Sequence, residues 1–182
     1  LTATHTHVGP GGYDHTVMLN LSALGYDNDN FNVIVDGIYQ SIKGSFASKV
    51  EGNIKFAQGK LTGTNINRDK AMYAANDDAG NYSADTNEYM TLIKLTADNG
   101  AEVGMINWFG MHNVSASQDY RLITSDNKGV ASQLFEKAKG TQPPLTGSSG
   151  FVAAFANSEE GDVSPNTCGI QDSCGATTEA GV

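Results

Sequence analysis

Cysteine is scarce in this chain of 182 residues: the two present, Cys168 and Cys174, lie close together near the C-terminus. That isolation excludes a zinc ribbon, leaving either one small disulfide loop in a secreted protein or free thiols in a cytosolic one. Basic residues are few as well, 11 against 20 acidic ones, for a net charge of -9. Nucleic-acid phosphates demand clustered Lys and Arg, so nucleic acid is excluded as a partner. No apolar run reaches the roughly 18 to 20 residues of a membrane-spanning helix, and a mean hydropathy of -0.32 is that expected of a soluble protein. No internal repeat is visible. With neither a signal peptide nor an initiator Met, the sequence is expected to be a piece of a larger protein. Asn20-Leu21-Ser22, Asn81-Tyr82-Ser83 and Asn113-Val114-Ser115 match the glycosylation sequon, which matters only on a secretory route.

Histidine is sparse too, yet its placement carries the main signal: three of the four lie within the first fifteen residues. Thr4-His5-Thr6-His7-Val8-Gly9-Pro10-Gly11-Gly12-Tyr13 runs a His-x-His pair into a glycine-rich turn. If residues 1–6 end a strand, the period of two puts His5 and His7 on one side, a pair suited to a divalent metal. Without further ligands, the same pair reads equally as two surface or hydrogen-bonded imidazoles. The glycines permit positive φ and close backbone approach, as a turn exposing side chains at a sheet edge requires.

Along the chain, Phe31, Val33, Ile34, Ile38, Ile42 and Phe46 recur at helical spacing and predict a helix over 28–48. Residues 53–61 alternate Ile54 and Phe56 with polar residues and predict a strand leading to Asn65-Ile66-Asn67-Arg68. The polar stretch 69–85 reads as a long surface loop. Two apolar runs, 89–97 and 101–109, flank Asp98-Asn99-Gly100 and predict an antiparallel hairpin. Residues 125–138 carry Asp126 in a first turn and Lys137 in a last one, before a Lys139-Gly140 stop, and predict a helix. A Pro, Gly and Ser loop follows over 142–150, then a short buried strand over 151–156 and a loop-like tail from Gly169. The expected class is α/β, a mixed β-sheet covered by helices, with residues 1–182 forming a single partial domain.

Four polar constellations fall at strand ends or beside them: His5 with His7, Arg68, His112, and Asp162-Val163-Ser164-Pro165-Asn166. A rigid sheet can aim such groups into a common cleft. Each also has a plain alternative. Arg68 reads as a loop ion-pair residue, Ser164 as the start of a turn, His112 as a satisfied core histidine, and Asp162 as a cap or an organiser of the Ser164 loop. His15 falls outside the metal motif and reads as structural or exposed.

Taken in order, Thr-His-Thr-His-Val-Gly-Pro-Gly-Gly-Tyr, Asn65-Ile66-Asn67-Arg68, Ile106-Asn107-Trp108-Phe109-Gly110-Met111-His112, Ser125-Asp126-Asn127-Lys128-Gly129, Phe151-Val152-Ala153-Ala154-Phe155-Ala156-Asn157 and Gly161-Asp162-Val163-Ser164-Pro165-Asn166 resemble the neutral ceramidases. The resemblance is collinear over nearly the whole chain. It implies zinc-dependent hydrolysis of the amide bond of ceramide to sphingosine and a fatty acid. It also implies His5 and His112 as Zn2+ ligands, His7 beside the metal against substrate or a reacting group, Arg68 as a stabiliser of the oxyanion, and Ser164 as a nucleophile. Amide resonance explains those types: a Lewis acid polarises the carbonyl, while a permanently charged Arg neutralises the developing oxyanion. Attack by Ser164 and attack by a zinc hydroxide, with Ser164 holding the substrate, are both compatible with these residues.

The family's remaining zinc ligands, a Glu and a Tyr, come from a later part of its sequence and have no matching motif here. The fragment alone is therefore expected to be catalytically incompetent. Asp69-Lys70 and Asn113 also depart from the residues usual after the Arg and His motifs, where they bear on substrate fit. The implied partners are ceramide or a related lipid amide, a membrane surface met peripherally, and the remainder of the catalytic domain. The implied location is secreted, extracellular or at the cell surface. The rival readings are a non-catalytic structural or binding protein retaining the fold, and a hydrolase of another lipid amide.

Overall fold

A computed structural model describes residues 2–117, 119–141 and 150–167. The chain divides into two compact units, one of residues 1–8 with 52–182 and one of residues 9–51. Cys168, Cys174, most of the predicted 142–150 loop and the tail lie outside the described residues.

The smaller unit holds a 3-10 turn, Val17–Ala23, and helix α1, Asn28–Ala47, over the residues predicted to be helical. Asp27 starts α1: its carboxylate accepts from the amides of Asp29 and Asn30 at 2.9 and 3.0 Å, occupying two of the donors a helix leaves unpaired at its N-terminus. Gly12, at φ +79, accepts the Asp27 amide, so the left-handed residue of the glycine turn fixes the entry to the helix. His15 is exposed and stacks on Tyr26, ring centroids 4.4 Å apart.

The larger unit is built on a four-stranded mixed sheet of order β1-β3-β4-β5, from β1 (Gly52–Lys60), β3 (Tyr89–Ala97), β4 (Glu102–Trp108) and β5 (Val152–Ala156). A second, two-stranded sheet pairs β2 (Ile66–Asn67) with β6 (Val163–Ser164). The predicted hairpin is present as antiparallel β3 and β4, joined through Gly100 at φ +85. β5 then runs parallel to β4. Parallel neighbours need a crossover, and helix α3 (Asp126–Ala138) lies between them in sequence. Phe135 of α3 packs on Phe151 and Phe155, against a core of Met105, Phe151 and Ala153. This is the mixed sheet with helices that the sequence predicts.

Three expectations are corrected. Residues 69–85 are not one loop: they hold helix α2 (Lys70–Ala74) and a 3-10 turn (Ala79–Asn81). Asp69 caps α2 by accepting the Met72 amide at 3.3 Å, so a residue read as bearing on substrate fit has a local structural task. β5 is not buried throughout: Val152, at 60%, and Ala154 are exposed, while Ala153 and Ala156 are buried. Among the described residues, 2–8 form no strand either. Only Thr6 pairs, in a parallel bridge with Asn113, and His5 sits at φ +64 in the left-handed region. A left-handed residue turns the chain, so period-two alternation does not apply to His5 and His7.

Candidate metal centre

His5 and His7 nevertheless converge, and His112 joins them. The ring centroids stand 4.9 Å apart for His5 and His7, 4.5 Å for His5 and His112, and 5.1 Å for His7 and His112. One nitrogen from each ring lies within 4.8 Å of the others. The shortest approach is between His5 Nε2 and His112 Nε2, at 3.1 Å.

Local structure explains the convergence. His112 follows β4, just past Gly110, where an added Cβ would run into the carbonyl oxygen of Glu159. That close approach sets residues 109–112 against residues 157–163. The His112 amide donates to Val163 O at 3.0 Å and its Nδ1 donates to Glu160 O at 2.8 Å, so a single turn grips both backbone and ring. The same Glu160 carbonyl accepts from the Val163 amide at 2.9 Å, which keeps the turn closed. A carbonyl can only accept, so the His112 proton resides on Nδ1 and its Nε2 lone pair faces His5.

Asn157 holds the other side. Its carboxamide donates to Thr4 O at 2.8 Å and accepts from the Met111 amide at 3.0 Å, tying together the neighbours of His5 and His112. Its own amide donates to Ala3 O at 3.2 Å. We expect Asn157→Ala to lower unfolding stability by about 1 to 3 kcal/mol, because the Thr4 and Met111 groups lose their partner. Urea unfolding measures it, and stability equal to wild type would show that the clamp is dispensable.

The donor set fits a divalent transition metal. Neutral imidazoles are favoured ligands, and two ligands about 2.0 to 2.1 Å from a tetrahedral ion stand about 3.3 Å apart, close to the separation seen here. With the proton of His112 on Nδ1, its Nε2 can take either a metal ion or, in the metal-free protein, a hydrogen bond from His5 Nε2–H. Burial first, then the His5 and His112 rings and the Arg68 guanidinium, push the His7 imidazole below its usual pKa, with Asp126 opposing. His7 is thereby kept neutral, free to act as ligand or base.

The other predicted residues surround this cluster without joining its rings. Arg68 follows β2; its Nη2 donates to Gly161 O at 2.7 Å and its amide to Asp162 O at 2.8 Å. Ser164 lies on β6 opposite Ile66, next to the Val163 that receives the His112 amide, and its hydroxyl accepts from the Asn166 amide at 3.1 Å. Asp162 accepts from Asn67 Nδ2 at 2.7 Å, linking the two motif loops as an organiser would. Asn113, wholly buried, donates to Ser125 O at 3.0 Å and serves the scaffold rather than an open pocket.

Residue-by-residue reading missed several supports. Asp126, at φ +55, accepts from the amides of Ser115 and Ala116 at 3.2 and 2.9 Å, while Asn127 donates to His112 O at 3.0 Å. Lys128 is 5% exposed and donates from Nζ to Phe109 O at 2.7 Å. Burial pushes its ammonium down to about 8, partly offset by Glu160. All three belong to the quoted Ser-Asp-Asn-Lys-Gly motif, the one signal that could have marked them.

The profile described as "Neutral/alkaline non-lysosomal ceramidase, N-terminal" matches residues 1–180. Neutral ceramidase A of Dictyostelium discoideum is 40% identical over 171 residues, 93% of this chain and 24% of that protein. Neutral ceramidase of Pseudomonas aeruginosa is 40% identical over 166 residues, 91% of this chain and 24% of that protein. A solved structure titled "Ceramidase complexed with C2" superposes with a TM-score of 0.84 at 36% identity, covering 98% of this chain and 28% of that one. The crystal structure of the Pseudomonas aeruginosa enzyme gives 0.82 at 36% identity, with the same coverage. The chain thus spans about a quarter of the length of these relatives.

Proposed function

Since the chain belongs to the neutral/alkaline non-lysosomal ceramidase family, we propose that the full-length protein hydrolyses the amide bond of ceramide, releasing sphingosine and a fatty acid, with zinc held by His5 and His112. The observation that carries this reading is the 3.1 Å approach of His5 Nε2 to His112 Nε2, with the His112 tautomer fixed by a backbone carbonyl. Bound there, zinc supplies a Lewis acid for the amide carbonyl and makes water acidic enough to react near neutral pH.

The chain's own residues do the rest. His7, kept neutral by its surroundings, accepts a proton beside the reacting carbon and returns it to the departing amine. Arg68, permanently cationic, stabilises the oxyanion as the carbonyl becomes tetrahedral. Ser164 is the nucleophile: its proton passes to His7 as its oxygen bonds to the acyl carbon, the tetrahedral species collapses with departure of the protonated amine, and water then cleaves the ester, releasing the fatty acid and regenerating the hydroxyl. The reaction takes place at a membrane surface, where the lipid substrate resides, and the protein acts at the cell surface or outside the cell.

The test is ceramide hydrolysis by the full-length protein loaded with zinc. Sphingosine and fatty acid should appear in equal amounts, a chelator should abolish their release, and an acyl group should be trapped on Ser164 in a single turnover. Zinc binding without hydrolysis of any lipid amide would favour a non-catalytic binding protein. Full activity in Ser164→Ala would remove the serine from the reaction while leaving the metal reading intact.

A further inference from the structure

The metal-facing histidines share a partner that the resemblance does not supply. Glu160 meets both of them on the side away from their convergent nitrogens. Its backbone carbonyl accepts from His112 Nδ1 at 2.8 Å, and its carboxylate Oε1 stands 3.6 Å from His5 Nδ1. The two contacts differ in kind. The carbonyl is locked in the closed 160–163 turn, whereas the carboxylate and the His5 ring are 23% and 45% exposed and free to rotate the remaining distance. The charge of Glu160 also supports the buried Lys128 ammonium.

We propose that Glu160 is a positioning residue of the metal centre, its carboxylate accepting the Nδ1 proton of His5 while its carbonyl accepts that of His112. This rests on the reading of His5 and His112 as metal ligands. The chemical need is specific. His5 sits at a left-handed φ of 64 with its side chain 45% exposed, so burial does not fix its tautomer and rotation as it does for His112. An anionic acceptor at Nδ1 supplies both, and it raises the basicity of Nε2 toward the ion. His112, buried and held by a neutral carbonyl, has no such need. One residue thus serves one ligand through its backbone and the other through its side chain, so only the second service is open to substitution.

Zinc affinity of the full-length protein, measured by competition with a chromogenic chelator, tests this without reference to turnover. Glu160→Ala should weaken zinc binding roughly 10-fold or more, the usual effect of losing an outer-shell partner. Glu160→Gln, which keeps an acceptor but not the charge, should fall between Glu160→Ala and wild type. The visible absorption of the cobalt-substituted protein should shift in Glu160→Ala, because the His5 donor changes. Glu159→Ala is the control: Glu159 accepts from Asn87 Nδ2 at 3.0 Å, away from the rings, and its loss should leave affinity unchanged.

In a His5→Ala background, Glu160→Ala should cost nothing further. An equal loss in both backgrounds would mean that the substitution merely disturbs the 160–163 turn, and would overturn the assignment. So would wild-type zinc affinity in Glu160→Ala. If His5→Ala and His112→Ala themselves left zinc affinity intact, the ligand reading would fail instead, a distinguishable result.

Discussion

His112→Ala should abolish stoichiometric zinc binding and lower ceramide turnover by roughly 10³-fold, about 4 kcal/mol of transition-state stabilisation. The size of this effect follows from how His112 is held. It is 4% exposed, its amide and ring are both bound to the 160–163 turn, and its Nε2 points at His5. Of the three clustered rings His112 is the buried one, whereas His5 and His7 are exposed. The metal content of the purified full-length variant and its release of fatty acid from ceramide measure the two effects. Because Glu160 O would lose its ring partner, a stability loss of about 1 kcal/mol should accompany them. A His112→Ala protein with one zinc and undiminished turnover would refute the ligand assignment.

Arg68→Ala should lower kcat by about 10²- to 10³-fold with little change in KM, the usual result of losing a donor aimed at an oxyanion. Arg68 is exposed, and its side-chain bond to Gly161 O is a surface contact, so the fold should lose less than about 1 kcal/mol. Arg68→Lys should recover part of the rate, since it retains the charge but not the planar fork. Steady-state kinetics separate kcat from KM, and urea unfolding checks the fold. Wild-type kcat in Arg68→Ala would leave Arg68 as an anchor of the 161–162 loop and nothing more.

How much of this was legible beforehand varies by element. The 89–97 and 101–109 runs were readable as a hairpin because Asp98-Asn99-Gly100 states the turn chemistry locally, and Gly100 adopts the positive φ it permits. The 125–138 helix was readable from charges at its two ends. Helix α2 was missed because its five residues, Lys70–Ala74, are too few to show a helical period and its start depends on one aspartate side chain, which composition cannot distinguish from a loop. β5 looked wholly buried from its apolar run, yet the sheet exposes Val152 and Ala154 on that edge.

The histidines show the division most clearly. The motif puts His5, His7 and His112 on one list, and alternation along a strand would pair the first two. The fold brings them together by another route: a left-handed turn at His5, the Thr6–Asn113 bridge, and the Asn157 clamp. Residue types and their order, which set metal chemistry and family, are properties of the chain read linearly, so the sequence alone determined them. Which ring nitrogens converge, which carbonyl fixes the tautomer of His112, and that Glu160 meets two rings more than a hundred residues apart in sequence were decided only by the tertiary structure. Those facts depend on contacts between distant segments, and no local propensity or period encodes them.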